Sequence, residues 1–397
     1  MLSRIDALAT ISAALPLAQE TVPLFQAQGR VLAAPVVARL TQPPASVSAM
    51  DGFAIRLADA AAGIPLAVIG EAPAGKPFAG PVGSGEAVRL FTGSVIPEGA
   101  DHVVIQEDTR REGGTIVLTS PQSRADNIRP AGIDFTEGDL LIPAGRVLGP
   151  AELAIAAAAN HASVTAFVKP RIAVIANGDE LRPPGSNTGP GEIISSTPYA
   201  LAALIAEWGG EFQFPGIARD DPADIRAHLN ASRNADIILP LGGASVGDHD
   251  HMQAVFAEEG LERVFSKVKL KPGKPTWYGR LGAAHVLGLP GNPASALVCA
   301  QLFLKPLIWR LTGRAAEDAF VWRPARLTGP LPEPGNRETF LRGASALDSE
   351  GRMTCTPASN QDSSLLSPFL ASDLLIHRPA DAPAAAAGDM IDCLLIR

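Results

Sequence analysis

Arg171-Ile172-Ala173-Val174-Ile175-Ala176-Asn177-Gly178-Asp179-Glu180-Leu181 is the stretch on which the fold turns. An unbroken apolar run from Ile172 to Ala176, stopped by a glycine and two carboxylates, reads as a strand buried on both faces that ends in a polar loop. The segments after it repeat the theme with helices between. Helical spacing runs from about Pro198 to Trp208, a strand lies near Phe212, a helix starts at Pro222, and Asp236-Ile237-Ile238-Leu239 reads as the next strand. Ala284-His285-Val286-Leu287-Gly288-Leu289 continues the pattern into a long apolar helix from near Pro293 to about Thr312-Gly313. Strands and helices in strict turn predict a doubly wound parallel sheet over residues 171–322, with helices on both faces.

On either side the composition changes. Short apolar runs such as Ala87-Val88-Arg89-Leu90-Phe91 and His102-Val103-Val104-Ile105, cut by Gly and Pro, make residues 46–144 a β-rich domain. The alanine-rich Ala151-Glu152-Leu153-Ala154-Ile155-Ala156 favours helix and can return the chain to its opening region. Residues 1–45 with 145–170 are therefore expected to form one discontinuous, elongated helical and stranded domain. Residues 323–397 hold short strands and turns, with Ala382 to Gly388 too rich in small residues to pack well, and read as a small β-barrel.

The 397 residues are too many for one ordinary core, so several domains are expected. No stretch approaches the roughly 20 uninterrupted apolar residues of a membrane helix, and MLSRIDALAT lacks the basic flank and apolar stretch of a signal peptide. A cytoplasmic protein with no membrane partner is the expectation. The net charge of -8 gives no reason to seek nucleic acid, so any anion site must be local. Cys299, Cys355 and Cys393 lie far apart without CxxC spacing, which leaves them packing roles.

In open parallel sheets ligands bind beyond the carboxyl ends of the strands. Three loops there carry chemistry: Asn177-Gly178-Asp179-Glu180, Gly242-Gly243-Ala244-Ser245-Val246-Gly247-Asp248, and Pro290-Gly291-Asn292-Pro293. The glycines of the second let backbone N–H groups approach an anion, and Pro293 suits a first helical position that leaves the helix N-terminus open. Before the third loop lies Lys267-Val268-Lys269-Leu270-Lys271-Pro272-Gly273-Lys274-Pro275, where strand geometry puts Lys267, Lys269 and Lys271 on one face. Each signal also has a plain structural reading: a turn for the glycines, a solvated edge strand for the lysines, a helix N-cap for Asp179-Glu180.

Asp248-His249-Asp250-His251 is metal-ligand material, but consecutive residues at a helix start point in different directions, so Asp250 alone is favoured. Gly243-Ala244-Ser245-Val246-Gly247 matches a nucleophile elbow formally. The next strand end offers Pro290-Gly291-Asn292 and no acid or histidine, so a hydrolase triad has no partners.

Further motifs lie in the same order along the chain: Ser48-Ala49-Met50-Asp51-Gly52-Phe53-Ala54, Thr92-Gly93 with Pro97-Glu98-Gly99-Ala100-Asp101, and Arg129-Pro130-Ala131-Gly132-Ile133-Asp134. Together with Gly178-Asp179-Glu180-Leu181, the Gly242 loop, Lys271-Pro272-Gly273-Lys274-Pro275 and Leu289-Pro290-Gly291-Asn292-Pro293, they resemble the molybdopterin molybdenumtransferase family, MoeA, to which the gephyrin E domain is also similar. The resemblance runs along most of the chain. It implies a molybdopterin-binding α/β domain, and insertion of molybdate into adenylated molybdopterin, with cleavage of the pyrophosphate and release of AMP, to form molybdenum cofactor.

The resemblance also implies roles for residues. Asp51, Thr92 and Asp134 match functional positions of the β-rich domain, reaching the site from a neighbouring subunit in the family's elongated homodimer. Glu180, Asp220 and Asp250 match acidic positions that serve Mg²⁺ and substrate. Gly242, Gly243, Ser245, Lys267, Lys271, Lys274, Pro290 and Pro293 match the wall that binds substrate and molybdate, and Arg342 and Ser363 look like the carboxyl-terminal domain's contribution. A molybdopterin adenylyltransferase is the partner enzyme the resemblance suggests. Thiolates for molybdenum come from the pterin, so no protein cysteine is needed.

Two departures stand out. Asn177 replaces the usual Thr before Gly-Asp-Glu-Leu, and Ser195-Ser196-Thr197 stands where the family often has Asp-Ser-Asn, removing a carboxylate and an amide beside the expected pterin pocket. Two other readings remain open: a related pterin or nucleotide enzyme, adenylyltransferase or pyrophosphatase, and a scaffold that binds the pterin without turnover.

Overall fold

A computed structural model describes residues 1–242 and 251–397. Its contacts divide the chain into two compact units, Met1–Glu20 with Gly29–Ala33 and Ala166–Arg397, and Thr21–Gln28 with Ala34–Thr165.

In the first unit the decisive stretch is the strand Arg171–Asn177. Successive side chains of a strand point to opposite faces, and here they enter two separate cores. Ile172 and Val174 join Leu201 and Ile205 of the helix Thr197–Glu207 and Leu302 of the long helix from Pro293 to Leu311. Ala173 and Ile175 join Ile225 and Leu229 of the helix Pro222–Ala231 and Met252, Val255 and Phe256 of the helix His251–Glu258. Both faces are covered, as a doubly wound sheet requires.

The six strands lie in the order Glu211–Ala218, Arg171–Asn177, Ile237–Leu241, Ala284–Gly288, Trp277–Leu281, Glu262–Phe265. The first four are parallel to one another, matching the expectation. One of the remaining two is not: Trp277–Leu281 runs antiparallel to both its neighbours, which leaves Glu262–Phe265 pointing the same way as the first four, so the sheet is mixed. The cause is local. Leu281 pairs with Ala284 across a two-residue turn in which Gly282 takes φ 59°, the hairpin geometry that follows strand twist.

The helix from Pro293 to Leu311 is 83% buried over its most apolar window, so although long and apolar enough to cross a membrane it is a core helix of this unit. Its middle, Ala300–Leu304, widens into a π turn just before Pro306. Proline there removes an N–H and would crowd the Leu302 carbonyl, and the wider turn absorbs that mismatch.

The chain then forms a five-stranded barrel from Val321–Leu327, Glu338–Leu347, Met353–Pro357, Leu374–Arg378 and Met390–Leu395, closed by pairing of Leu374–Arg378 back onto Glu338–Leu347. Leu270–Lys271 pairs in parallel with Glu338 and Thr339, the first residues of the barrel strand Glu338–Leu347. The segment Ala382 to Gly388, expected to pack poorly, is tied in: Ala385 is buried and exchanges backbone bonds with Leu331. All three cysteines are buried and free, and burial pushes the Cys299 thiol up to about 12, which makes it a packing group.

The second unit centres on a six-stranded sheet ordered His102–Ile105, Gly52–Ile55, Glu86–Leu90, Pro65–Ala72, Thr115–Leu118, Thr109–Glu112. Its side chains also divide between two cores, one around Phe53, Leu66 and Ile116 and one around Ala54, Val88 and Val103. The expected alanine-rich helix is Pro150–Ala158, opened by Pro150 and by Glu152 bonding back to the Gly149 N–H.

Gly288 closes the strand that leads to the Pro290 loop, and a Cβ on it would lie 2.0 Å from Nε1 of the buried Trp277. Gly288→Ala is therefore expected to cost about 1–3 kcal/mol of stability by overpacking, read as a lower denaturant midpoint at unchanged slope.

Candidate active site

The carboxyl ends of the parallel strands open onto a cavity of about 1160 Å³. Asn177, Gly178 and Glu180 enter its wall from the first strand, and Asp220 from the loop after Glu211–Ala218. Two ties fix these loops. Asn177 donates from Nδ2 to the carbonyls of Ala218 (3.3 Å) and Arg219 (3.1 Å), and Asp179 Oδ1 accepts from the Asp220 N–H at 3.1 Å. A hydroxyl has one proton to donate and the Asn177 amide has two, so the departure from Thr at this position supplies a second strand-end bond. Gly178 sits at φ 152°, a backbone conformation that favours glycine, with the mobile end of the Glu180 side chain beside it.

No helix starts at Asp179 or Glu180, so the N-cap reading fails; Leu181–Arg182 instead pairs in parallel with Ile193–Ile194. Arg182 locks that pairing through Glu192 at 2.5 Å and the Asp179 carbonyl at 2.9 Å. Ser195, Ser196 and Thr197 line the same cavity at the start of the helix Thr197–Glu207. Ser195 and Thr197 are buried, and their hydroxyls have no hydrogen-bond partner among the described residues.

Lys267, Lys274, Pro275 and the Pro290–Pro293 turn line the same cavity, as does Gly242 at φ 87°. A second, smaller cavity of about 380 Å³ shares Lys274, Pro275, Pro290 and Asn292 with the first and adds Lys271, Arg337, Arg342, Gln361 and Ser363. The lysine row is thus divided. Its alternation holds, with Val268 and Leu270 buried between the lysines, but Lys267 faces the larger cavity, Lys271 the smaller, and Lys269 lines neither.

Pro293 is the first residue of its helix, as expected, but that N-terminus is not open. The Ala294 N–H donates to the Ser363 carbonyl at 3.0 Å, and Asn292 Nδ2 donates to Ser363 Oγ at 2.8 Å. Arg342 is buried, and its guanidinium donates to the carbonyls of Leu365 (2.6 Å), Asp362 (2.9 Å) and Asn360 (3.2 Å). Burial lowers its pKa from the ordinary arginine value, with Asp362 opposing.

The second unit brings Asp51 and Thr92 together. Asp51 Oδ1 accepts from both the backbone N–H and the hydroxyl of Thr92 at 2.8 Å. The backbone bond first, and the hydroxyl second, hold this carboxyl below the usual aspartate range. Asp134 lies exposed in the turn after Gly132, and its N–H donates to the Gln42 carbonyl at 3.2 Å. His102, unremarked in the sequence, accepts the Asp126 N–H on Nδ1 at 3.0 Å, and burial lowers its pKa. Asn127 bonds Val103 and accepts from the Ala49 N–H, anchoring the segment that presents Asp51.

Gly243, Ser245, Asp250, the elbow-like motif and the Asp248–Asp250 part of the metal-like run lie outside the described residues. Among the described residues there is no group of three or more His, Cys, Asp or Glu placed to hold a metal. Glu180 and Asp220 on one cavity wall still suit Mg²⁺, which is commonly held by one or two carboxylates together with substrate oxygens and water. Sequence reading gave no role to Asn292, Arg337 or Gln361. Asn292 was in view in Pro-Gly-Asn-Pro, whereas Arg337 and Gln361 sit in polar turns with no distinguishing pattern.

Comparison with known proteins covers the whole chain. The MoeA N-terminal region (domain I and II) model matches residues 2–160, a probable molybdopterin binding domain model matches 173–310, and the MoeA C-terminal region (domain IV) model matches 324–396. A molybdopterin molybdenumtransferase of Nostoc sp. is 37% identical over 334 residues, covering 82% of this chain and 77% of that protein. The enzyme of the same name from Haemophilus influenzae is 33% identical over 378 residues, covering 95% and 93%. The crystal structure of the molybdopterin biosynthesis MoeA protein from Pyrococcus horikoshii superposes with a TM-score of 0.85 at 30% identity, over 100% of this chain and 99% of that one.

The Asp51 and Thr92 geometry makes a direct prediction. Thr92→Val removes the hydroxyl bond and keeps the backbone one, so the Asp51 carboxyl should titrate higher than in the native protein and still below the ordinary aspartate range in a carboxyl NMR titration. The stability linked to the depressed pKa is present above the ordinary carboxylate pKa and lost as pH falls through the depressed one. Thr92→Val should narrow that acid interval.

Proposed function

Because the chain belongs to the MoeA family of molybdopterin molybdenumtransferases, we propose a division of labour between its two cavities. The protein is a transferase of molybdenum cofactor biosynthesis. In this reading the larger cavity takes adenylated molybdopterin and the smaller takes molybdate, and their shared wall brings the oxyanion to the dithiolene. The observation that carries the reading is the pair itself: about 1160 Å³ beside about 380 Å³, joined through Lys274, Pro290 and Asn292. The first volume suits a pterin nucleotide. The second, lined by Lys271, Lys274, Arg337 and Arg342, suits a small dianion.

Lys267 and Lys274 offset the charge of the pyrophosphate, with Gly242 at the strand end on the same lining. Glu180, Asp220 and Asp250 would hold Mg²⁺, which supplies charge neutralisation at the pyrophosphate as it is cleaved to release AMP. Lys271, Arg342 and Ser363 face molybdate, and Pro290 and Pro293 hold the turn between the two substrates. With a hydroxyl set at Ser195–Thr197 in place of a carboxylate, this end of the cavity offers neutral hydrogen bonds to the pterin.

Asp51, Thr92 and Asp134 act, in the same reading, from the second copy of a homodimer. The finer domain division, 1–45 with 145–170, 46–144, 171–322 and 323–397, follows the family pattern. The protein works in the cytoplasm, and a molybdopterin adenylyltransferase supplies its substrate.

The test is AMP release from adenylated molybdopterin and Mg²⁺, with and without molybdate. Release that requires molybdate and yields cofactor able to activate an apo-molybdoenzyme is the expected result. Release indifferent to molybdate would replace the reading with a pyrophosphatase, and tight binding without release with a scaffold. Lys271→Ala should weaken the molybdate response by about 1.5–3 kcal/mol, roughly tenfold to hundredfold in the concentration required, while AMP release at saturating molybdate persists.

A further inference from the structure

Gln361 is half-buried in the turn that follows the barrel strand Met353–Pro357, and its side-chain amide is bonded on both ends. Oε1 accepts the Arg342 backbone N–H at 3.0 Å and Arg342 Nε at 3.4 Å. Nε2 donates to the Arg342 carbonyl at 2.9 Å and the Ala358 carbonyl at 3.0 Å. A side-chain amide presents the same donor and acceptor as a peptide group, so Gln361 pairs with the Arg342 peptide as a neighbouring strand would.

The pairing is coupled to what lies around it. The Arg342 guanidinium reaches the Asn360, Asp362 and Leu365 carbonyls, wrapping residues 360–365 round one cation. That turn holds Ser363, whose hydroxyl meets Asn292 on the wall shared by the two cavities and whose carbonyl meets Ala294 on the smaller one. Of the five guanidinium N–H groups, these bonds and the Gln361 bond engage four, which leaves one on Nη1 for a ligand. Gln361 fixes where that one points.

We propose that Gln361 is a positioning residue for the oxyanion substrate, acting through Arg342 and Ser363 and not through the pterin nucleotide. This rests on the assignment of molybdate to the smaller cavity. Its signature is a split between the two substrates. Gln361→Ala should raise the molybdate KM, and the Kd for molybdate alone by calorimetry, about tenfold or more, while the KM for adenylated molybdopterin stays within about twofold.

Gln361→Glu keeps the volume and the two acceptor bonds but loses both donor bonds and sets a carboxylate against the guanidinium. It should show the same split, and it serves if the alanine variant does not fold. An unchanged molybdate KM and Kd overturns the proposal. So does a fall in kcat with both KM values intact, because that reports only fewer folded molecules. Lys271→Ala run alongside separates the two failures. If Lys271→Ala raises the molybdate KM and the Gln361 variants do not, positioning by Gln361 is wrong; if neither does, molybdate does not occupy this cavity.

Discussion

Everything in the larger unit follows from a strand that must be dry on both faces. Ile172 and Val174 enter one core and Ala173 and Ile175 the other, so neither face tolerates a polar loop crossing it. Burying a Val or Ile side chain contributes about 1.5–3 kcal/mol, against about 1 kcal/mol for a net hydrogen bond. The sheet therefore sets where the loops emerge, and ties such as Asp179 to Asp220 only refine it. Polar chemistry is confined to the strand ends, and because the first strands are parallel their carboxyl ends share one edge.

At that edge the chain's overall acidity ceases to matter. A net charge of -8 spread over 397 residues is screened over about a Debye length of 8–10 Å. Lys267, Lys271, Lys274, Arg337 and Arg342 stand around two adjoining cavities, where low-dielectric walls focus their field. Glu180 and Asp220 on the same large cavity give it two opposed signs. Charges of both signs on one lining suit a multiply charged anion that carries a counter-cation.

The sequence displayed the parts whose cause is local. An apolar run with glycine and carboxylates after it announces a buried strand and its loop, and Pro290 to Pro293 announces a helix start. Three things were hidden. The hairpin Trp277–Leu281 with Ala284–Gly288 passed unseen because its aromatic strand adjoins the Lys-Pro-Gly-Lys-Pro loop and its turn is only two residues long. The division of the lysine row between two cavities depends on the barrel, whose strand pairs with Leu270–Lys271, and no window of sequence contains both partners. Gln361 was invisible because its role is to imitate backbone, and a polar turn reads the same whether its amide faces water or a peptide.

That last case explains why a small barrel belongs to this active site. Closing Leu374–Arg378 onto Glu338–Leu347 leaves the five-stranded sheet no free edge and little freedom to shear. The strand Glu338–Leu347 holds Arg342, and pairing of its first residues with Leu270–Lys271 fixes it against the lysine loop. Arg342 then loses hydration on burial, a cost offset only if its donors find acceptors, and the carbonyls of residues 360–365 are those acceptors. A buried cation that needs a loop and a loop that needs a cation order each other. The ordered turn reaches across to take the first N–H of the helix at Pro293, so the positive end of that helix meets the site through a wall built by the barrel.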